Sequence, residues 1–259
     1  MSTVAASHLT HAIGATETRR FHVRMATACA AVAFVGFAPT YWVPMVRGTL
    51  AVEPIAHLHA IFFYAWVLLF WWQASLAASG RMTRHREFGV AGVALASGML
   101  FVGMAMSMHS IREAELAGAG ASARAFSIVS VSGIVLFVGL IAVAVLNVRR
   151  PEVHKRLMLV ATVSILQAGV GRWFLTFLAP PPAAGAAGSP PVAVTVMPGL
   201  VTNLLIVVAM VHDRRTRGRV HPAYWVAGGV VLAVQLLRVP LSGTVGWLRV
   251  TDWMLALAP

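Results

Sequence analysis

Residues Glu53 to Ala78, EPIAHLHAIFFYAWVLLFWWQASLAA, decide how the rest of the chain is read. Pro54 suits the first turn of a helix, where its missing N–H would have no partner anyway. From Ile55 to Leu76 the stretch is almost wholly apolar, close to the ~20 residues a helix needs to cross a hydrocarbon core. Trp71 and Trp72 sit near its end, as interfacial tryptophans do. Heptad spacing places His59, Trp66 and Gln73 along one side. His57, Tyr64 and Trp71 form a second stripe across the helix, since residues two apart differ by about 200°. Glu53 and His57 are an i,i+4 pair and can touch. Imidazoles and a glutamine are costly in lipid, so that side is expected to face the bundle interior.

Six further stretches read the same way. Together the seven expected spans are Met25–Val43, Pro54–Ala78, Glu87–Met108, Ala125–Leu146, Val153–Leu178, Val192–Val211 and Ala223–Val239. Composition agrees: of 259 residues 59% are hydrophobic and only 11% charged, where soluble domains carry about 25% charged residues. The expected fold is an all-α integral membrane bundle of seven transmembrane helices. It divides into a polar tail over 1–24, the bundle over 25–239 and a tail over 240–259. That last tail, with Trp247, Leu248, Trp253 and Leu255, reads as a helix lying in the interface.

Charge sets the orientation. The stretches SGRMTRHRE, RRPEVHKR and HDRRTRGRVHP, with Arg19, Arg20 and Arg24, hold 14 of the 20 Lys and Arg on one side. Acidic residues divide evenly, so the bias is specifically basic. It places the N-terminus in the cytoplasm of a bacterial inner membrane. It also accounts for the net charge of +12 without nucleic acid as a partner. Cys29, the only cysteine, excludes an internal disulfide and a thiolate cluster. On the opposite side, His109 to Arg124 is expected as a loop that carries Glu113 and Glu115 in solvent and holds a short surface helix. The Pro/Gly/Ala-rich segment Leu178 to Pro191 is expected as a spacer, and Pro198–Gly199 as a kink.

The histidines fall into two depth groups. His57, His59 and His109 stand at the outer ends of their spans, with Arg172 roughly two turns inside the outer end of the fifth. His85, His154, His212 and His221 stand at the inner ends. His154 and Arg172 are eighteen residues apart, five turns, so they share a face about 27 Å long. Imidazole suits haem iron and transition metals. His57 or His59 opposite His109 would hold one haem b outside, and His85 opposite His154 a second inside. Arg172, Arg84 and Lys155 would then pair with propionates. Alternatively Glu53, His57, His59 and His109 would hold a single zinc or copper ion facing outward. Against both stands the reading of interfacial histidines bonded to water, headgroups or loop carbonyls.

Several segments carry a resemblance. HLHAIFFYAW (His57–Trp66), RHREFG (Arg84–Gly89), HKRLML (His154–Leu159), DRRTRGRVHP (Asp213–Pro222) and SGTVGW (Ser242–Trp247) resemble a group of proteobacterial multi-span membrane proteins of unknown function. RHREFG and HKRLM also look like the H-R-x-x-G and H-R-x-M elements of a larger bacterial membrane family. H-R-x-x-G helix starts are similar to those of the transmembrane b-type cytochromes of ascorbate and ferric reductases. That similarity implies haem ligands on four successive helices, and the fourth span here has no histidine.

Three functions follow as expectations. The first is a histidine-ligated haem or metal protein transferring electrons between a cytoplasmic or quinol donor and an outer acceptor. The second is a non-enzymatic carrier or sensor with Gln73, Gln167, Asn203, Gln235 and Arg172 around a cavity and a small molecule as partner. The third is an accessory subunit of a larger complex.

Overall fold

The computed structural model describes residues 20–178 and 188–257. Most of the polar tail, most of the Pro/Gly/Ala-rich spacer and the last two residues lie outside them. The described residues are all helix and turn, without a strand.

Helix α1 (Arg20–Gly36) bends by 41° into α2 (Ala38–Val46), which opens with a π-helical turn over Ala38–Trp42. There follow α3 (Pro54–Ala78), α4 (Met82–Leu116), α5 (Gly120–Leu146) and α6 (Pro151–Trp173), the last extended by a π turn, Phe174–Leu178. A 3₁₀ turn (Val192–Thr195) leads into α7 (Val196–Arg217), then come α8 (Pro222–Leu241) and α9 (Val245–Ala256). Six of these helices are long and apolar enough to cross a membrane, and the bent α1–α2 pair brings the number to seven when it is counted as one broken span. The protein is a multi-pass, all-α membrane bundle.

Local chemistry sets the helix ends. Pro54, Pro151 and Pro222 each occupy the first turn of a helix. His221 caps α8 by accepting the Ala223 N–H at Nδ1 (3.1 Å), and Thr244 caps α9 by accepting from Trp247. Gly218, at φ +72°, stops α7 in the left-handed conformation that glycine adopts freely.

Short turns make α3 to α6 an antiparallel series of neighbours, with α7 and α8 packed on α6. The core runs through this series: Trp66 (2% exposed), Phe137, Met99, Leu159 and Val163 are buried together. Trp66 stacks edge-on to Phe137 at 4.8 Å and donates from Nε1 to the Thr162 hydroxyl at 3.2 Å. Cys29 is fully buried, as a packing residue.

Three expectations change. The helix expected within His109–Arg124 is not a separate surface piece: α4 runs unbroken to Leu116, 35 residues, or about 52 Å at 1.5 Å per residue. Glu115 therefore stands on a helix, where it pairs with Arg124 at 2.6 Å. Pro198 and Gly199 fall in the first turn of α7, after the 3₁₀ turn, rather than at an interior kink. Finally, Arg20–Arg24 belongs to α1 rather than to the tail. Helix α9, at 12 residues, is too short to span. It lies across the ends of α4 and α5, held by Arg124–Asp252, by Arg112 donating to the Leu255 carbonyl (3.3 Å), and by Trp247 donating to that of Arg124 (2.8 Å).

Candidate functional site: the histidine pair at the arginine-rich turns

The two histidines that open α4 and α6 meet. The rings of His85 and His154 lie 6.5 Å apart, centroid to centroid, with planes at 87°. His85 donates from Nδ1 to the Gln73 carbonyl (3.3 Å), across the turn from α3 to α4. His154 donates from Nδ1 to the Ala144 carbonyl (2.8 Å), across the turn from α5 to α6. A carbonyl only accepts, so each Nδ1 carries the proton. In a neutral ring the lone pair is then at Nε2, the arrangement that orients metal-ligating histidines.

Beside the pair, the Gln73 side chain is buried with neither its Oε1 nor its Nε2 partnered. Lys155, expected to meet a propionate, instead binds Glu152 at 2.8 Å. Arg84 remains exposed on the same turn as His85.

The outer residues do not gather. Phe62 packs against Gly98, Leu69 against Gly92, and Trp72 against Phe88 at 4.4 Å, which fixes the α3–α4 register. Phe101 is then level with His59, and His109 stands eight residues further, about 12 Å at 1.5 Å per residue. His57 shares a 2.8 Å hydrogen bond with the Tyr41 hydroxyl. His59 stacks on Phe63 at 4.2 Å, its buried Nδ1 unpartnered. Glu53 is exposed at the N-cap of α3. Arg172 lies over the Phe37 ring at 5.8 Å. Among the described residues no group of three or more His, Cys, Asp or Glu side chains is placed to hold a metal ion. The length of α4 is what separates His109 from the others: it carries that ring past the start of α3.

One polar constellation, and the arginine at the centre of a second, escaped the sequence reading. Near the arginine-rich end, Arg156 (0% exposed) binds Asp213 (1%) through Nε and Nη2, at 2.8 and 2.6 Å. Its Nη1 binds Glu152 at 2.7 Å, and its guanidinium lies 5.5 Å from the centre of the Tyr224 ring. Arg217 joins through Glu152, and His221 donates its backbone N–H to Asp213 (3.2 Å). Desolvation, then the Arg156 charge, holds His221 below the ordinary histidine value. The second constellation is centred on Arg238 (3% exposed), which donates to Ser132 Oγ (2.7 Å) and Gln167 Oε1 (3.0 Å). Gln235 donates to Gln167 and Asn203 to Gln235, while Gln167 donates to the Thr195 carbonyl. Gln167, Asn203 and Gln235 were thus rightly grouped, whereas Gln73 and Arg172 stand apart. The signal for Arg238 was its place in QLLR, three residues after Gln235 and hence on the same helix face.

No protein family, curated protein or solved structure matches the chain.

Proposed function

We propose that the protein is a membrane electron-transfer protein that holds one haem b between His85 and His154, near its arginine-rich end. The observation that carries this reading is the His85–His154 pair: two imidazoles on different helices, each fixed through Nδ1, with perpendicular planes and centroids 6.5 Å apart. His85 and His154 would hold the group through their Nε2 atoms, since a ring separation of 6.5 Å leaves room for two metal–imidazole bonds of about 2 Å each.

A lone metal ion is a poorer fit, because it needs three or four protein donors. Two imidazoles suit a metal whose remaining ligands come with it, as a porphyrin's do. The unpartnered Gln73 amide offers a neutral donor beside the pair, and Arg84 a cation. Bound there, a haem supplies one-electron exchange. The chain's own part is to set the ligand tautomers through the Gln73 and Ala144 carbonyls and to balance propionate charge. At the far end no imidazole on another helix among the described residues is level with His57 or His59. The two-haem arrangement drawn from the sequence is therefore replaced by one.

The test is a reduced-minus-oxidised visible spectrum of purified protein expressed with haem supplied. A b-type band is expected in the wild type and in H59A and H109A, and is expected to vanish in H85A and H154A. Colourless protein, or a band that depends on His59 rather than His85, overturns the proposal. The same Nδ1 bonds staple α3 to α4 and α5 to α6. If that is their whole role, the protein is colourless and both H85A and H154A lower its melting temperature.

The buried Arg238 network favours a second reading, a carrier or sensor for a small molecule. An arginine inside an apolar bundle that meets only neutral acceptors marks a functional position. Substrate flux into liposomes that is abolished by Arg238→Gln would support it.

A further inference from the structure

Gly80, Arg81, Met82, Thr83 and Arg84, the turn between α3 and α4, line an open cavity of about 460 Å³. Gly80 makes the turn possible, because at φ +75° it takes the left-handed conformation that glycine adopts freely. Arg81, Thr83 and Arg84 are exposed. Neither arginine forms an ion pair with a carboxylate among the described residues. Glu87, one turn along α4 from Arg84, is exposed and pairs with neither. Cations on the neighbouring turns are placed differently: Lys155, Arg156 and Arg217 all bind Glu152. The first turn of α4 has no acidic residue and no side-chain cap, whereas that of α6 carries Glu152. Two uncompensated guanidinium groups and a hydroxyl thus surround room for an anion.

Apolar surface runs down from the cavity. Met82, Gly89 and Val93 share one side of α4. Met82 is 41% and Val93 43% exposed, and a Cβ on Gly89 would meet nothing within 4 Å. Bare apolar side chains with a gap at a glycine make a shallow track along the helix. Arg86, exposed and one turn beyond Met82, adds a third cation at the head of that track. Depth agrees. The turn follows Trp71 and Trp72 by about two helical turns, and such tryptophans mark the edge of the hydrocarbon.

We propose that the α3–α4 turn binds an anionic phospholipid, with the phosphate in the cavity and an acyl chain along Met82, Gly89 and Val93. Arg81 and Arg84 donate to phosphate oxygens, and Thr83 adds its hydroxyl. A zwitterionic headgroup fits worse, because its ammonium stands among guanidinium groups that no carboxylate offsets. A free phosphate uses the cavity but leaves the apolar track uncovered, so the track is what favours a lipid. The assignment rests on the membrane bundle alone and needs no haem at His85–His154.

The experiment is native mass spectrometry of the full chain in detergent micelles, titrated with phosphatidylglycerol and, separately, with phosphatidylcholine. Melting temperatures are measured alongside. The wild type is expected to take up phosphatidylglycerol at lower concentration and to melt higher with it. At about fivefold per arginine, R81Q/R84Q should weaken phosphatidylglycerol binding about twentyfold. It should leave phosphatidylcholine binding and the lipid-free melting temperature unchanged, since both side chains are exposed and outside any ion pair. R215Q removes an exposed arginine from another turn of the same face and should bind like the wild type, as should H154A. Excess inorganic phosphate should not displace the lipid. Equal uptake of the two lipids, an unchanged preference in R81Q/R84Q, or an equal loss in R215Q overturns the site and leaves only general surface charge. Displacement by inorganic phosphate makes it a free-anion site and overturns the lipid. Loss of binding in H154A overturns its independence from the histidine pair.

Discussion

At the scale of single residues, the strongest contacts are the ones a hydropathy reading treats as orientation signals. Arg156 and Asp213 both fall in basic stretches, RRPEVHKR and HDRRTRGRVHP, and were counted for topology. In the fold they form a two-pronged ion pair sealed from solvent. Removing one partner strands the other charge, so Arg156→Met should lower unfolding stability by about 3–5 kcal/mol, with Arg217, 4.0 Å from Asp213, softening the loss. The double variant Arg156→Met with Asp213→Leu should recover most of it in denaturant titrations. His221 gives a pH dependence. Its folded-state value lies below the unfolded value of about 6.5, so the unfolded chain binds the proton more readily. Stability is then complete above that value and falls as pH drops below it. Protonation also removes the Nδ1 acceptor that caps α8. Thermal melts of the wild type from pH 8 to pH 5 should show the decline, and His221→Asn, which keeps a capping oxygen, should flatten it. The pair was not readable in advance, because partners 57 residues apart announce nothing through spacing.

At the scale of elements, the helices were legible, the ends of α3 and α8 to within two residues and those of α1, α4 and α7 less closely, while their mutual heights were not. An apolar run with proline in its first turn fixes where α3, α6 and α8 begin. Nothing in the run fixes how far an amphiphilic continuation stays helical, and α4 carries SIREAEL beyond any bilayer. That extension is why His109 leaves the level of His59 and why the expected outer cluster dissolves. The inner pair fared better because each histidine sits one turn into its helix, after a short loop. Short loops hold neighbouring helix starts at a common height. Close helix crossings were equally hidden. A Cβ on Gly36 would lie 2.7 Å from Gly169 Cα, backbone against backbone, so α1 and α6 touch through two glycines, as membrane helices do at small-residue seams. Gly36→Ala should separate them and cost about 1–3 kcal/mol. Gly139→Ala, with nothing within reach, should leave thermal stability unchanged.

At the scale of the whole molecule, chemistry divides between two faces of one bundle. The arginine-rich turns hold the His85–His154 pair and the Arg156 network. The opposite half holds the Arg238 network and α9. Reporter fusions should place the turns near Arg84, Arg150 and Arg215 on the cytoplasmic side; the opposite result would reverse the direction of any electron flow but leave the pair intact. The account turns on how many haems the bundle carries and which rings hold them. A pyridine-haemochrome assay on protein purified from haem-replete cells measures both most directly. It should return one haem b per chain in the wild type, one in the double variant H59A/H109A and none in H85A/H154A. Two haems per chain, or one haem retained in H85A/H154A, would contradict it.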